Sequence, residues 1–367
     1  MFKIAHIGDL HICGKNFERA KSALLQVAKV IKKENCNAVV FSGDIFDHHN
    51  ISDRYKTVGE LQSLLLQFIA SIKKSCGPIF FVTGNHDSIG EGKSALEFLK
   101  NTIKNVHVIE KRIFVHFQEI GIGLVPWISK AEFVKQKCIG KSKQETDNLF
   151  KNYINKNVLN YMTDSILDQR KDCDTPSILF GHCDLIGHQA SDYYKIAGGS
   201  FPFSPKELKS TGADYISLSH IHKRSDLYVG ALFQNNFGEE NNPQGFEIVS
   251  IDGQIVKSEY KEIKLKTYKT IEVKENDALP ILNENCYYKL RFFCEKKYKE
   301  YLEFVDENNV FQDVIIEKQF NQYNLKRRSN IVFNQDTCIG DLLEKYMDYN
   351  PPEEQLKNKI MEYADKC

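Results

Sequence analysis

Short runs of Ile, Val, Phe and Ala alternate with stretches of helical periodicity through the first 260 residues, and this alternation confines the chain to a layered α/β architecture. Lys3–Ile7, Ala38–Ser42 and Ile79–Thr83 read as strands because they are dense in β-branched and aromatic residues and too short for helices. Between the first two, Phe17, Ala20, Ala23, Leu24, Val27, Val30 and Ile31 recur at helical spacing; Leu61, Leu64, Leu65, Phe68, Ile69 and Ile72 do so before the third. A β-α-β-α-β order with unbroken apolar strands predicts a sheet covered on both faces. Val106–Ile109, Ile113–Phe117 and Gly121–Val125 then follow one another as consecutive strands, so the sheet is expected to be mixed. A polar helical region over Lys141–Arg170 precedes strands at Ser177–Phe180, Tyr215–Leu218, Leu227–Val229, Phe246–Ser250 and Gln254–Lys257.

The texture changes near Lys261. Residues 261–335 carry an aromatic-rich strand (Tyr287–Phe293) and a Lys/Glu-rich helix (Glu295–Glu307), the pattern of a small separate α+β unit. Residues 336–367 carry two apolar helical stripes, Ile339 to Met347 and Leu356 to Met361, separated by Pro351-Pro352. At roughly 150 residues per domain, 367 residues allow about two or three units, which matches a division into 1–260, 261–335 and 336–367.

Lys+Arg and Asp+Glu both number 49, so the formal net charge is zero. Such a chain does not bind nucleic acid by bulk charge; a local patch or a bound metal must carry the contact. Ten cysteines are scattered without a C-x-x-C pair, and the opening Met1–Asp9 has no basic and apolar leader. Reduced thiols in a cytoplasmic protein with no membrane span are the expectation.

Five polar blocks close predicted strands: Asp9-Leu10-His11, Gly43-Asp44-Ile45-Phe46-Asp47, Gly84-Asn85-His86-Asp87, Gly181-His182 and His220-Ile221-His222. Ligands bind at the carboxyl ends of strands in open α/β sheets. Asp, Asn and His together suit borderline or hard divalent cations such as Mn²⁺, Zn²⁺ or Fe²⁺ rather than Ca²⁺. Each block alone is ordinary turn or edge polarity; five in order, each after a strand, point to a metal site.

In this order D-x-H, G-D-x-x-D, G-N-H-D, G-H and H-x-H resemble the calcineurin-like metallophosphoesterase superfamily, over residues 3–222. The resemblance implies a layered β-sandwich flanked by helices. It implies that Asp9, His11, Asp44 and His222 hold one cation, and that Asp44, Asn85, His182 and His220 hold the other, with Asp44 bridging. His86 is then the catalytic histidine that binds no metal, orienting the phosphate or protonating the leaving oxygen. Two divalent ions, Mn²⁺ first and Mg²⁺, Fe²⁺ or Zn²⁺ as alternatives, would activate a hydroxide for in-line displacement at phosphorus.

A narrower resemblance lies in Tyr215–Lys223 and in Val229–Glu239, which are similar to the SbcD-type exonuclease family. It implies Mn²⁺-dependent 3′→5′ exonuclease and single-strand or hairpin endonuclease activity on DNA. It also implies a capping domain over 261–335, a 336–367 tail docked on the coiled coil of an SbcC-type ATPase, a homodimer, and a bacterial or phage-infected cytoplasm. The alternative within the superfamily is a small-molecule phosphatase or cyclic-nucleotide phosphodiesterase; from another class, it is a scaffold that kept the fold without metal. The chain after Lys261 favours the nuclease, since a small substrate has less need of a cap and a docking tail.

Two positions depart from the family pattern. Ser219 stands where a glycine precedes H-x-H, and Asp47 closes a block that ends in histidine elsewhere. Asp47 and His49 are the candidate substrate contacts, Asp47 the poorer of them for handling DNA; His48 and His49 follow the metal block on a loop and read as surface polarity or substrate contact. His6 and His188 read as structural, Cys13 and Cys183 as packed thiols, and Lys326-Arg327-Arg328 as a solvated face.

Overall fold

The computed structural model describes residues 1–49, 51, 55–90, 93–100, 102–186, 203–308 and 314–319. The 336–367 tail, Lys326–Arg328 and His188 lie outside the described residues. The chain opens with β1 (Phe2–Ile7), α1 (Phe17–Glu34), β2 (Ala38–Ser42), α2 (Val58–Ile72) and β3 (Ile79–Val82). A hairpin of β4 (Ser88–Gly90) and β5 (Lys93–Ser94) leads to β6 (Val106–Ile109), β7 (Ile113–Phe117) and β8 (Ile120–Val125). Three helices follow, α3 (Lys130–Lys137), α4 (Lys143–Ile154) and α5 (Asn160–Asp172), the last two continuous through a π-turn at Asn155–Leu159. Then come β9 (Ser177–His182), α6 (Pro205–Lys209), β10 (Tyr215–Ser219), β11 (Gly245–Asp252) and β12 (Ile255–Glu262). A small unit closes the described chain: β13 (Thr267–Val273), β14 (Cys286–Phe292), α7 (Glu295–Asn308) and β15 (Val314–Lys318).

The helices form where apolar spacing and end chemistry agree. α2 starts at a reciprocal cap, Thr57 accepting from the Glu60 N–H while Glu60 accepts from the Thr57 N–H, and buries the predicted Leu61-to-Ile72 stripe. α1 ends at Asn35, whose left-handed backbone (φ 53°) lets its N–H reach back to the Ile31 and Lys32 carbonyls. α3 carries little apolar periodicity; its sequence signal is the Ser129-x-x-Glu132 cap.

Two mixed sheets face each other. One has the order β12-β11-β1-β2-β3-β6 and the other β10-β9-β8-β7. Side chains alternate along each strand, so Val39, Phe41, Ile79 and Phe81 join the core under α1 and α2. Ala38, Val40, Phe80 and Val82 point the other way and meet Ile122, Leu124, Ile178 and Phe180 of the second sheet. Leu179 and Leu218 in turn meet Phe150, Ile154 and Met162 of the α4–α5 layer. Helices, sheet, sheet and helices therefore stack as four layers, which explains why the strands are apolar without alternation. Phe41 stacks on Phe81 (4.8 Å, 8°) and meets Phe68 edge-on (5.6 Å, 87°); truncating it to Ala would cost about 3–5 kcal/mol.

The expected strand at Leu227–Val229 is a single bridge, Leu218 to Tyr228. Gly230, at φ +83°, turns the chain away so that the Ala231 N–H bonds the His222 carbonyl instead. β13 and β15, absent from the sequence expectations, pair parallel on either side of β14. Among the described residues eight cysteines are free thiols, and no helix is long and apolar enough to cross a membrane.

Candidate metal centre

β1, β2 and β3 run parallel in one sheet and β8, β9 and β10 run parallel in the other, so the loops at their carboxyl ends open on one edge. Backbone hydrogen bonds stitch these loops together. The Leu10 and His11 N–H groups donate to the Asp44 carbonyl (3.0 and 2.8 Å), and the His220 N–H donates to the Asp9 carboxylate (3.1 and 3.0 Å). Asp87, fully buried, accepts from Ile45 and Phe46 through Oδ1 and from Gly84 through Oδ2. It fastens the block after β2 to the block after β3.

Eight described non-glycine residues have positive φ, and four of them are Asp9 (40°), His11 (46°), Asp44 (50°) and His220 (99°). Strained backbone persists only where surroundings over-determine it, and it concentrates at functional sites. Two glycines leave room for this packing. A methyl on Gly43 would overlap the His182 ring, and one on Gly84 would overlap the Asp44 carboxylate and backbone nitrogen.

The side chains converge in two sets. Asp9, His11 and His222 offer ligand atoms within 4.8 Å of one another, and so do Asp44, His182 and His220. Asp44 Oδ2 lies between them, 3.6 Å from His11 Nε2 and 3.5 Å from His182 Nε2. A further set, His11, Asp47 and His86, shares His11 with the first.

Proton positions follow from the outer partners. His222 Nδ1 lies 2.9 Å from Glu239 Oε1, and His220 Nε2 lies 2.9 Å from Asp184 Oδ1. His182 Nδ1 donates to the Ser42 carbonyl (2.9 Å). Each outer nitrogen therefore carries a hydrogen, so a ring that binds a cation does so through its inward nitrogen. His222 Nε2 then faces His11 Nε2 at 3.0 Å, and His11 points its own Nδ1 at Asp47 Oδ1 (3.4 Å). In the second set His182 Nε2, His220 Nδ1 and Asn85 Oδ1 stand 2.9 to 3.2 Å apart. Nitrogens and oxygens packed this closely need a proton or a cation among them, and a donor set of Asp, Asn and His fits divalent ions.

Burial would raise Asp44, but His182, His11, His86 and the His86 N–H hold it down at about 2, so the central carboxylate is ionised. Burial and the Asp44 charge push Asp87 up, against its three N–H donors. Burial lowers His182, favouring the neutral ring a cation requires. Burial acts downward on His222 as well, yet the Glu239 hydrogen bond and the Asp9 charge carry it up to about 9. Asp184 likewise raises His220 against burial.

His86 has a different setting. Its backbone N–H donates to Asp44 Oδ1 (2.9 Å), and its Nδ1 meets the Asp47 carbonyl, which leaves Nε2 as the free nitrogen. The ring stands edge-on to His11 (4.9 Å, 84°) and stacks with His48 (5.7 Å, 25°).

The structure thus brings together Asp9, His11, Asp44, Asn85, His86, His182, His220 and His222, with Asp47 at their margin. His49 is exposed and makes no contact with the cluster among the described residues; His48 is the histidine that reaches His86. His6 is buried, with Nε2 2.6 Å from Ser42 Oγ, and Ser42 in turn meets Ser219 Oγ. The Ser219 hydroxyl occupies the space beside Gly8, so the residue that replaces glycine there ties the two sheets together. Sequence reasoning missed Asp184, Glu239 and Trp127. Glu239 ends the Val229–Glu239 phrase and so lay inside a segment already singled out, whereas Asp184 lies two residues past the Gly181-His182 block.

A family model described as calcineurin-like phosphoesterase matches residues 2–224. The SbcD subunit of nuclease SbcCD from Staphylococcus epidermidis is 25% identical over 304 residues, covering 77% of this chain and 74% of the relative. The protein of the same name from Staphylococcus saprophyticus is 25% identical over 324 residues, covering 82% and 77%. Among solved structures, a dimetal phosphatase from Danio rerio superposes with a TM-score of 0.44 at 10% identity, covering 71% of this chain and 96% of the other.

Proposed function

The chain belongs to the calcineurin-like phosphoesterase family, and from that premise we propose that it is the nuclease subunit of a two-protein DNA-processing machine. The observation that carries a metal-dependent reaction is the pair of acceptor sets meeting at Asp44 Oδ2. Asp9, His11, Asp44 and His222 hold one divalent ion in this reading, and Asp44, Asn85, His182 and His220 hold the second. When bound, the ions supply positive charge to the phosphate oxygens and acidify nearby water. Mn²⁺ suits the mixed Asp, Asn and His donors, with Mg²⁺, Fe²⁺ and Zn²⁺ as alternatives.

The chain's own groups do the rest. Asp184 and Glu239 orient His220 and His222. The Asp47 carbonyl holds His86 Nδ1–H, so His86 Nε2 is the atom that faces the substrate; as an imidazolium the ring donates Nε2–H to the phosphate and gives that proton to the leaving oxygen, ending as the neutral Nδ1–H form.

The choice of DNA rests on the two staphylococcal relatives, each a subunit of a nuclease. Mn²⁺-dependent 3′→5′ exonuclease and single-strand or hairpin endonuclease activity belong to the same proposal, as do a homodimer and a cytoplasmic setting. So do a cap over 261–335 and a 336–367 tail that docks on an SbcC-type coiled-coil ATPase; β12 ending at Glu262 before the separate small sheet supports the first boundary. The test is cleavage of end-labelled duplex DNA with Mn²⁺, with and without the ATPase partner and ATP. Metal-dependent shortening of the duplex is expected. Turnover of a simple aryl phosphodiester with no DNA cleavage under any condition overturns the nuclease reading in favour of a small-molecule phosphodiesterase.

A further inference from the structure

The chain has one tryptophan, and it stands at the metal centre. Trp127 follows Pro126 just beyond β8, and its backbone N–H donates to the Thr83 carbonyl (2.9 Å), next to the Gly84-Asn85 turn. Its indole lies tilted against His220 (centroids 4.9 Å, 36°) and edge-on to His182 (6.0 Å, 76°). It borders Cys183, Asp184 and Phe203 and is half-buried rather than covered. On the opposite half of the centre, the His86 ring meets His11 and carries His48 stacked on it. The acceptor sets therefore sit between two aromatic walls.

Phosphoryl chemistry has no use for a half-open indole, since the metal ligands and His86 address only the phosphate. An apolar ring left partly open beside a polar site suits a substrate with a flat, apolar face, and a nucleobase offers one on either side of a phosphodiester. Resting on the nuclease reading above, we propose that Trp127 is a base-stacking residue, on which one of the two nucleobases flanking the cleaved phosphate lies. Stacking of this kind tolerates any base, so it positions the strand without reading its sequence. The centre then accepts a nucleoside phosphodiester in preference to an alkyl phosphodiester of the same charge.

The test uses the full chain with Mn²⁺ and single-stranded oligothymidylates in which one abasic position is walked across the cleaved linkage. One position beside that linkage should cost the natural chain about tenfold in kcat/KM. Trp127→Ala should lose the same tenfold on the intact strand, mostly in KM, and show no further penalty from the abasic site. Trp127→Phe should keep most of the base dependence. Because Trp127 is the sole tryptophan, its emission gives a second readout on the unaltered chain. A phosphorothioate decathymidylate should quench it at least twofold and an all-abasic decamer should leave it nearly unchanged. An abasic penalty equal in the natural chain and Trp127→Ala, or equal quenching by both decamers, overturns the stacking role and leaves the nuclease reading intact. No DNA cleavage by the natural chain under any metal refutes that reading and takes this proposal with it.

Discussion

Replacing Glu239 by Gln should weaken one of the two metal sites and spare the other. Glu239 is buried, 8% exposed. Oε1 faces His222 Nδ1 (2.9 Å) and accepts from Asn236 Nδ2 (3.0 Å), while Oε2 accepts from the Asn235 N–H (2.9 Å). An amide has the same shape but one acceptor fewer, so at least one of these donors meets an NH₂ group. The ring also loses the negative charge that makes it a better ligand. Losing such an outer partner costs 10- to 100-fold in metal affinity, about 1.4–2.7 kcal/mol. One effect opposes the loss. The same carboxylate holds His222 at about 9, so cations compete with a proton, and the substitution relieves that competition. At pH 8.5, close to that value, the relief is small against the loss, which leaves a net loss on the order of tenfold. Anaerobic Mn²⁺ titration at pH 8.5, followed by electron paramagnetic resonance, resolves two sites. Glu239→Gln should weaken one site by that factor and leave the other within about twofold; Asp184→Asn should weaken the other, through His220. Wild-type affinity at both sites in a Glu239→Gln protein that melts normally in EDTA would refute the argument, and so would equal weakening of both.

Four further outcomes are expected. His86→Gln should lower DNA cleavage by about 10²–10⁴-fold while Mn²⁺ titration still fills two sites; full activity would remove His86 from the reaction. Gly84→Ala should drive its methyl into Asp44 and abolish binding of both ions, a result that two normal sites in the titration would contradict. Mn²⁺ at a hundred times its dissociation constant should add about 2.7 kcal/mol of stability per filled site, seen as a rise in melting temperature that EDTA reverses; an unchanged melt would tell against the whole ligand set. Burial pushes Cys36 up to about 12, Cys76 to about 11 and Tyr215 to about 12. Each holds its proton more tightly folded than unfolded, so stability is intact below pH 9 and declines as pH rises toward 12. Melting temperatures at pH 8 and 10.5 should show the fall, and Cys36→Ala should flatten it in part.

The fold was legible where local chemistry and burial agree. The Leu61-to-Ile72 stripe and the Thr57/Glu60 cap specify α2 in the sequence alone, and the structure buries that stripe under the first sheet. α3 was not legible, because only Phe133 of that helix is buried and its cap carries the signal. Leu227–Val229 has strand composition, but the turn at Gly230 leaves it one bridge.

By itself, the sequence determined which residue types end the strands and in what order, because a glycine turn after an apolar run releases polar side chains wherever the strand lies. It could not decide which of them meet. Asp9 and His220 are 211 positions apart, and only the parallel pairing of strands within two facing sheets brings their loops to a common edge. Nor could it decide which ring nitrogen turns inward. That depends on Asp184, Glu239 and the Ser42 carbonyl, outer partners that tertiary packing places within hydrogen-bond reach and that no spacing rule encodes.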